Sequence, residues 1–188
     1  RDPRPPRRER RPDDRAARWE MKPWKDDGET IILCGQVPWD ASVDFTNHVQ
    51  WVVETAAVLQ TLTTREIVFR PHPLAKIPSI TGCTYSVGVP IEKDLERAHA
   101  VVSFNSNSGV DAIMNGVPVF AWDHGSMVYK VANKNWSNLE CPTKPERQQW
   151  LNDISYAQWA PSELAAGLAW AHLRLSNSSS VPQLARMR

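Results

Sequence analysis

The sequence predicts an α/β domain in which helices cover a mostly parallel sheet. Three observations support this. Apolar, β-branched or aromatic runs recur at residues 30–36, 66–70, 100–104 and 118–122, each short enough to be a strand. Stretches with helical spacing separate them, and strand–helix alternation favours parallel pairing through right-handed crossovers. The first run, Thr30-Ile31-Ile32-Leu33-Cys34, is apolar without alternation, as expected of a strand covered on both faces. Together they define a Rossmann-like three-layer arrangement.

The elements follow in order. Asp26-Asp27-Gly28 is a turn before the first strand. Val49, Val52, Val53, Ala56, Ala57 and Leu59 recur at helical spacing, predicting an amphipathic helix over 47–61. The second strand spans 66–70 and a short one 85–89. A helix over 91–98 places Ile91 and Leu95 four apart. A strand at 100–104, a helix at 109–114 and a strand at 118–122 complete the sheet. Helices are expected at 144–155 and 161–175, the latter opened by Pro161-Ser162-Glu163.

At 188 residues, one core and one domain are expected, placed at residues 19–175. Residues 1–18 hold eight arginines, four acidic residues and four prolines, a local balance of +4; the rest sums to −3 against the overall +1. This composition predicts a disordered basic tail or linker, of a kind that can attract nucleic acid. Residues 176–188, rich in Ser and Asn, are expected to form a flexible C-terminal tail. No apolar run is long enough to span a bilayer, and the opening lacks a signal-peptide core, so a cytoplasmic location is expected. Cys34, Cys83 and Cys141 are odd in number and widely spaced, which argues against a disulfide framework. No Cys-x-x-Cys or His-x-x-x-His pattern suggests zinc, and no metal site is expected.

Chemistry concentrates where strands end. Ile67-Val68-Phe69 runs into Arg70-Pro71-His72-Pro73. Arg70 offers a planar fork for phosphate oxygens, and the prolines stiffen the loop that carries His72. Lys76 is close enough in sequence to contribute. A second strand feeds Asn105-Ser106-Asn107-Ser108-Gly109, which supplies hydroxyl donors and a helix start. A third ends in Asp123-His124-Gly125-Ser126, where Asp123 and His124 suit a ribose, sugar or acceptor. Asp111 reads as a first-turn acid. His48, His99 and His172 read as structural or exposed, and Trp51, Trp150, Trp159 and Trp170 as packing residues. In an open α/β sheet, ligands bind beyond the carboxyl ends of the strands. The two motifs therefore suggest a clamp for a nucleotide or nucleotide sugar.

The order strand-Arg-Pro-His-Pro, helix, strand-Ser-x-Ser-Gly, short helix, Gly-x-Pro-Val-strand resembles the donor-binding half of GT-B-type glycosyltransferases. It is similar to capsule polysaccharide biosynthesis (Kdo transferase-like) and bacterial sialyltransferase proteins, whose His-Pro and serine motifs bind the donor's nucleotide phosphate. His72-Pro73 matches the first motif; Ser106 and Ser108 match the second. Teichoic-acid glycerophosphotransferases share the pairing, and phage-encoded glycosyltransferase-like proteins look similar across residues 22–172. The resemblance implies a metal-independent transfer from a CMP-, CDP- or UDP-linked sugar to a glycan or other acceptor. It gives His72 the catalytic role of steadying the leaving nucleotide. Arg70, Lys76, Asn105, Ser106, Asn107, Ser108, Gly109 and Asp123 complete the donor site. The donor is a substrate, and no separate cofactor is expected. The resemblance also implies a second, N-terminal Rossmann domain outside this chain. Two other functions fit the same residues: a non-catalytic nucleotide-binding or assembly module, and a phage-type DNA-base glycosyltransferase recruited through residues 1–18.

Overall fold

The computed structural model describes residues 11–43, 47–75 and 77–178. The chain divides into two compact units, Arg18–Trp150 and a second made of both chain ends.

The first unit is built on five parallel strands in the order β3-β2-β1-β4-β5. They are β1 (Thr30–Cys34), β2 (Glu66–Arg70), β3 (Thr84–Tyr85), β4 (Ala98–Ser103) and β5 (Val119–Ala121). Between them run α1 (His48–Leu62), α2 (Ile91–Arg97) and α3 (Ser108–Met114). The all-parallel sheet with flanking helices is the Rossmann-like α/β arrangement expected from the sequence.

β1 is the central strand and is buried along its whole length. Ile31 and Leu33 sit opposite Ile67 and Phe69 of β2 on one side, and opposite Ala100 and Val102 of β4 on the other. Because side chains alternate across a strand, these residues share one face. There they form a single core with Val52, Ala56 and Leu59 of α1. Fully burying such an aliphatic side chain stabilises the fold by about 1.5–3 kcal/mol. The opposite face receives α3: a side chain at Gly109 would press on Val128 and touch Val119, the neighbour of the core residue Phe120. Gly109 is thus small so that α3 can approach the sheet closely.

Local irregularities have local causes. The register of β1 against β4 slips between Thr30 and Ile31, so that His99 lies in a bulge, with its Nε2 2.9 Å from the Leu139 carbonyl. Gly28 lies against the His99 backbone, where a Cβ would collide. β4 accordingly starts at Ala98, earlier than expected. The strand expected at 85–89 is only Thr84–Tyr85, because the Ser86 hydroxyl turns to Asp94 and Gly88 adopts φ 71°. α3 ends in a Schellman turn: Gly116 N–H donates to Ile113 O and Val117 N–H to Ala112 O, with Gly116 at φ 76°.

In the second unit the expected helix over 161–175 is two helices, α5 (Pro161–Ala165) and α6 (Leu168–Ser178), parted by Gly167 at φ 73°. α4 (Gln148–Ser155) precedes them in the chain. The basic segment is not a free tail over its whole length. Arg15 donates to both Glu163 oxygens at 2.8 and 3.0 Å, to Ser155 O and Gln158 O, and lies 3.9 Å from the Trp159 ring centroid. Tyr156 Oη donates to Asp14 at 2.7 Å. Residues 1–10 and 179–188 lie outside the described residues. No helix among the described residues is long and apolar enough to cross a membrane.

Gly116→Ala is expected to destabilise the protein more than Gly88→Ala. Both place a side chain at positive φ, at a cost of about 1–2 kcal/mol. Only the Gly116 side chain would also strike the Pro23 carbonyl, which adds roughly 1–3 kcal/mol; urea unfolding of the two variants measures the difference.

Candidate functional site

A cleft of about 400 Å³ opens beyond the carboxyl ends of β1, β2 and β4. Connections from β1 lead outward to β2 on one side of the sheet, and β4 and β5 fill the other. The ends of β1 and β4 therefore flank the topological switch point, where the crevice of an open α/β sheet forms.

The first wall is the end of β1. Gly35 N–H donates to Arg70 O at 2.9 Å, and a side chain at Gly35 would press on the Phe69 ring. Gln36 follows, almost fully buried, with its N–H donating to His48 Nε2 at 2.8 Å. Its side-chain amide crosses the switch point. Nε2 donates to Asn105 Oδ1 at 2.6 Å, and Oε1 accepts from Asn105 N–H at 3.0 Å. Asn105 Nδ2 in turn donates to Ser42 O at 2.7 Å. Behind this stitch His48 stacks on Trp51 with centroids 5.5 Å apart, and Phe104 meets both rings edge-on. His48 accepts at Nε2, so its proton sits on Nδ1, a buried atom without a partner among the described residues.

The second wall is the loop after β2. Pro71 and Pro73 bracket His72, whose Nδ1 accepts from Leu74 N–H at 3.2 Å. In the neutral ring that bond places the proton on Nε2, making it a donor. Arg70 is engaged on one edge: Nη1 donates to Asp94 Oδ2 at 2.7 Å and to Ser86 Oγ at 3.3 Å. Its Nε and Nη2 have no partner among the described residues. Asp40 stands nearby, held below the ordinary carboxyl range mainly by hydrogen bonding to the Ser42 backbone, with a smaller contribution from His72.

The third wall is the turn into α3. Ser106 Oγ accepts from Ser108 N–H at 3.2 Å and donates to Ser108 Oγ at 3.1 Å. Gly109 N–H goes to Ser106 O and Val110 N–H to Asn107 O, so these amides are satisfied within the turn. Donors on this wall are chiefly the hydroxyls and the Asn107 side chain. Asp111 also lines the cleft, its carboxyl raised by burial first and by Glu92 second, against an opposing pull from Arg70. Beneath lies Cys34, whose thiol burial pushes up to about 12, so it stays protonated.

Of the residues singled out in the sequence, Arg70, His72, Asn105, Ser106, Asn107 and Ser108 line this cleft. Gly109 does not; it is buried in the contact between helix and sheet. Asp123 lies beyond β5, where its Oδ1 accepts from Gly125 N–H at 2.7 Å and His124 is 3.6 Å away. Lys76 lies outside the described residues. Gly35, Gln36, Asp40 and Ser42 also line the cleft but carry no motif in the sequence; their one signal is their place after the most apolar strand. No group of three or more His, Cys, Asp or Glu suited to a metal occurs among the described residues.

No family model matches the chain, and no curated protein matches it in sequence. Similar solved structures are glycosyltransferases. One is the β-Kdo 2,7 transferase of KpsC from Thermosulfurimonas dismutans, at 18% identity over 74% of this chain and 48% of that one, TM-score 0.45. Another is the β-Kdo 2,4 transferase of the same protein, at 16% identity over 73% and 48%, TM-score 0.47. A third is the glycosyltransferase SnogD from Streptomyces nogalater, at 11% identity over 80% and 45%, TM-score 0.37. The chain spans about half the length of the structures it matches.

Burial holds the His48 imidazole below its ordinary pKa, and only the neutral ring can accept from Gln36. The unfolded chain therefore takes up this proton first on acidification. The stability tied to it is complete above about pH 6.5 and is lost as pH falls below that value. Urea unfolding at about pH 7.5 and about pH 5.5 should show a larger loss for the wild type than for His48→Gln. His99, also lowered mainly by burial, adds the same trend to both proteins.

Proposed function

We propose that the cleft binds the nucleotide portion of an activated sugar, CMP-, CDP- or UDP-linked, and that the domain serves sugar transfer from that donor to a glycan or other acceptor. The observation that carries this reading is the mixture of groups gathered at one switch point. Donors on two walls (His72 Nε2, the open edge of Arg70, the Ser106–Ser108 pair) suit phosphate oxygens. Carboxylates on the same cleft, Asp40 and Asp111, suit the hydroxyls of ribose or sugar. A site for free phosphate would have little use for those acids, because they oppose its charge. A nucleotide sugar presents both kinds of group.

In such a transfer an acceptor hydroxyl oxygen bonds to the anomeric carbon and gives up its proton to solvent, while the bond from that carbon to the phosphate oxygen breaks and negative charge grows on the leaving nucleotide. His72, donating from Nε2, stabilises that charge, and Arg70 adds its field. Asp94 neutralises part of the Arg70 charge but also fixes the guanidinium at 2.7 Å, so that its remaining edge is oriented in advance. The Gln36–Asn105 stitch keeps the first and third walls at a set separation.

Isothermal titration of the chain with CMP, CDP and UDP checks the proposal. At least one nucleotide should bind, and His72→Ala should weaken it roughly 10–100-fold, the range expected for losing a hydrogen bond to a charged group. Absence of binding by all three, or unchanged affinity in His72→Ala, would refute it.

A further inference from the structure

A second concavity, about 180 Å³, lies at the end of β5, apart from the residues of the nucleotide cleft. Its walls are Trp122, Trp136, Tyr129 and Phe120, and its polar groups come from Lys134 and Asn133. We infer that this pocket is a saccharide subsite that seats a single pyranose ring. The inference rests on these residues and not on the nucleotide reading.

Trp122, the residue immediately after β5, is 57% exposed. Leaving so large an aromatic surface in water forgoes the burial that usually holds such a side chain inside. Trp136 stands beside it with centroids 6.2 Å apart and planes at 58°, and Trp136 also packs on Phe120. The two indoles thus form a corner. A flat nucleobase is best held by stacking between parallel faces, which this corner does not supply. A pyranose ring is thicker, with a C–H face that lies on one π-surface while its edge meets the other. Aromatic faces carry negative potential and attract such polarised C–H groups.

Hydroxyl partners stand at the rim. Lys134 Nζ lies 4.5 Å from the Tyr129 ring centroid and donates to Ala132 O at 3.1 Å, which fixes the ammonium beside the pocket with further N–H groups to offer. Tyr129 Oη has no partner among the described residues. The floor is set in advance: Asn133 bridges to Phe120, donates to Thr143 O, and accepts from Thr143 N–H and Oγ1. At 180 Å³ the space is smaller than the roughly 300–1,000 Å³ of pockets for drug-sized molecules, so it suits one ring. Its position also fits: Trp122 N–H and Asp123 N–H donate to Ser103 O and Phe104 O, so the pocket lies one strand along the same carboxyl edge as the cleft.

The test uses the whole chain with its tryptophan indoles labelled with nitrogen-15, assigned through Trp122→Phe and Trp136→Phe. Methyl glycosides of glucose, galactose, mannose and N-acetylglucosamine are titrated separately. At least one should shift the Trp122 and Trp136 indole resonances saturably, with a Kd on the order of 1–10 mM. Trp122→Ala should weaken that glycoside at least tenfold and Lys134→Ala severalfold, each with an unchanged melting temperature, whereas His72→Ala should leave it unaltered. A lack of saturable shifts with all four glycosides would overturn the inference. So would shifts at these two indoles produced by UMP and by no glycoside. Neither result depends on whether the nucleotide cleft binds its ligand, because that is read from His72→Ala in the nucleotide titration.

Discussion

The burial of β1 on both faces is the constraint on which the rest of this structure depends. A strand whose every side chain is buried, its one hydroxyl at Thr30 donating to Arg97 O, lies in the middle of the sheet, and parallel neighbours on each side follow from the crossovers that connect them. Once β1 is central and flanked by β2 and β4, the loops leaving β1 and β4 diverge and a crevice opens between them. The site is thus a consequence of strand order, and its chemistry is whatever the strand ends happen to carry.

At this crevice the side chains divide into those that build and those that face a ligand. Gln36 and Asn105 satisfy one another across the gap, and His48 with its aromatic neighbours backs them from below. Such fully paired polar contacts specify geometry more than they add stability. Asn105 therefore serves the shape of the wall. His72 and the Ser106–Ser108 pair present polar atoms to the open space, while Arg70 does so with one edge only. Asp94 makes the difference: it turns a mobile cation into a fixed one at the expense of net positive charge.

The sequence was most legible where burial dictated composition. The bounds of β2 at Glu66 and Arg70 emerged as expected because an apolar core segment ends there in Arg-Pro-His-Pro. Loops rich in recognisable chemistry, at 70–73 and 105–108, were also legible, and they do meet in space. Less visible was anything that depends on three-dimensional neighbours. The bulge at His99 follows from the approach of Gly28, and the break in the last helix from Gly167 adopting positive φ. A glycine at 109 reads equally well as room for a ligand or room for a sheet, and only packing against Val128 distinguishes them. Gly35 and Gln36 have no motif at all; their importance appears only once β1 is known to be central. Arg15 was read as part of a solvated tail because nothing local reveals its pairing with Glu163, 148 positions away.

The central proposal is that strand order, and not any single motif, would make one nucleotide site from three strand ends. Backbone amide chemical-shift mapping during titration with CMP, CDP and UDP tests it most directly. The account predicts that one of these perturbs the amides of residues 35–36, of Arg70 and His72, and of residues 105–108 together, with a common saturation curve. Perturbation confined to one of those segments, or centred elsewhere on the chain, would contradict it.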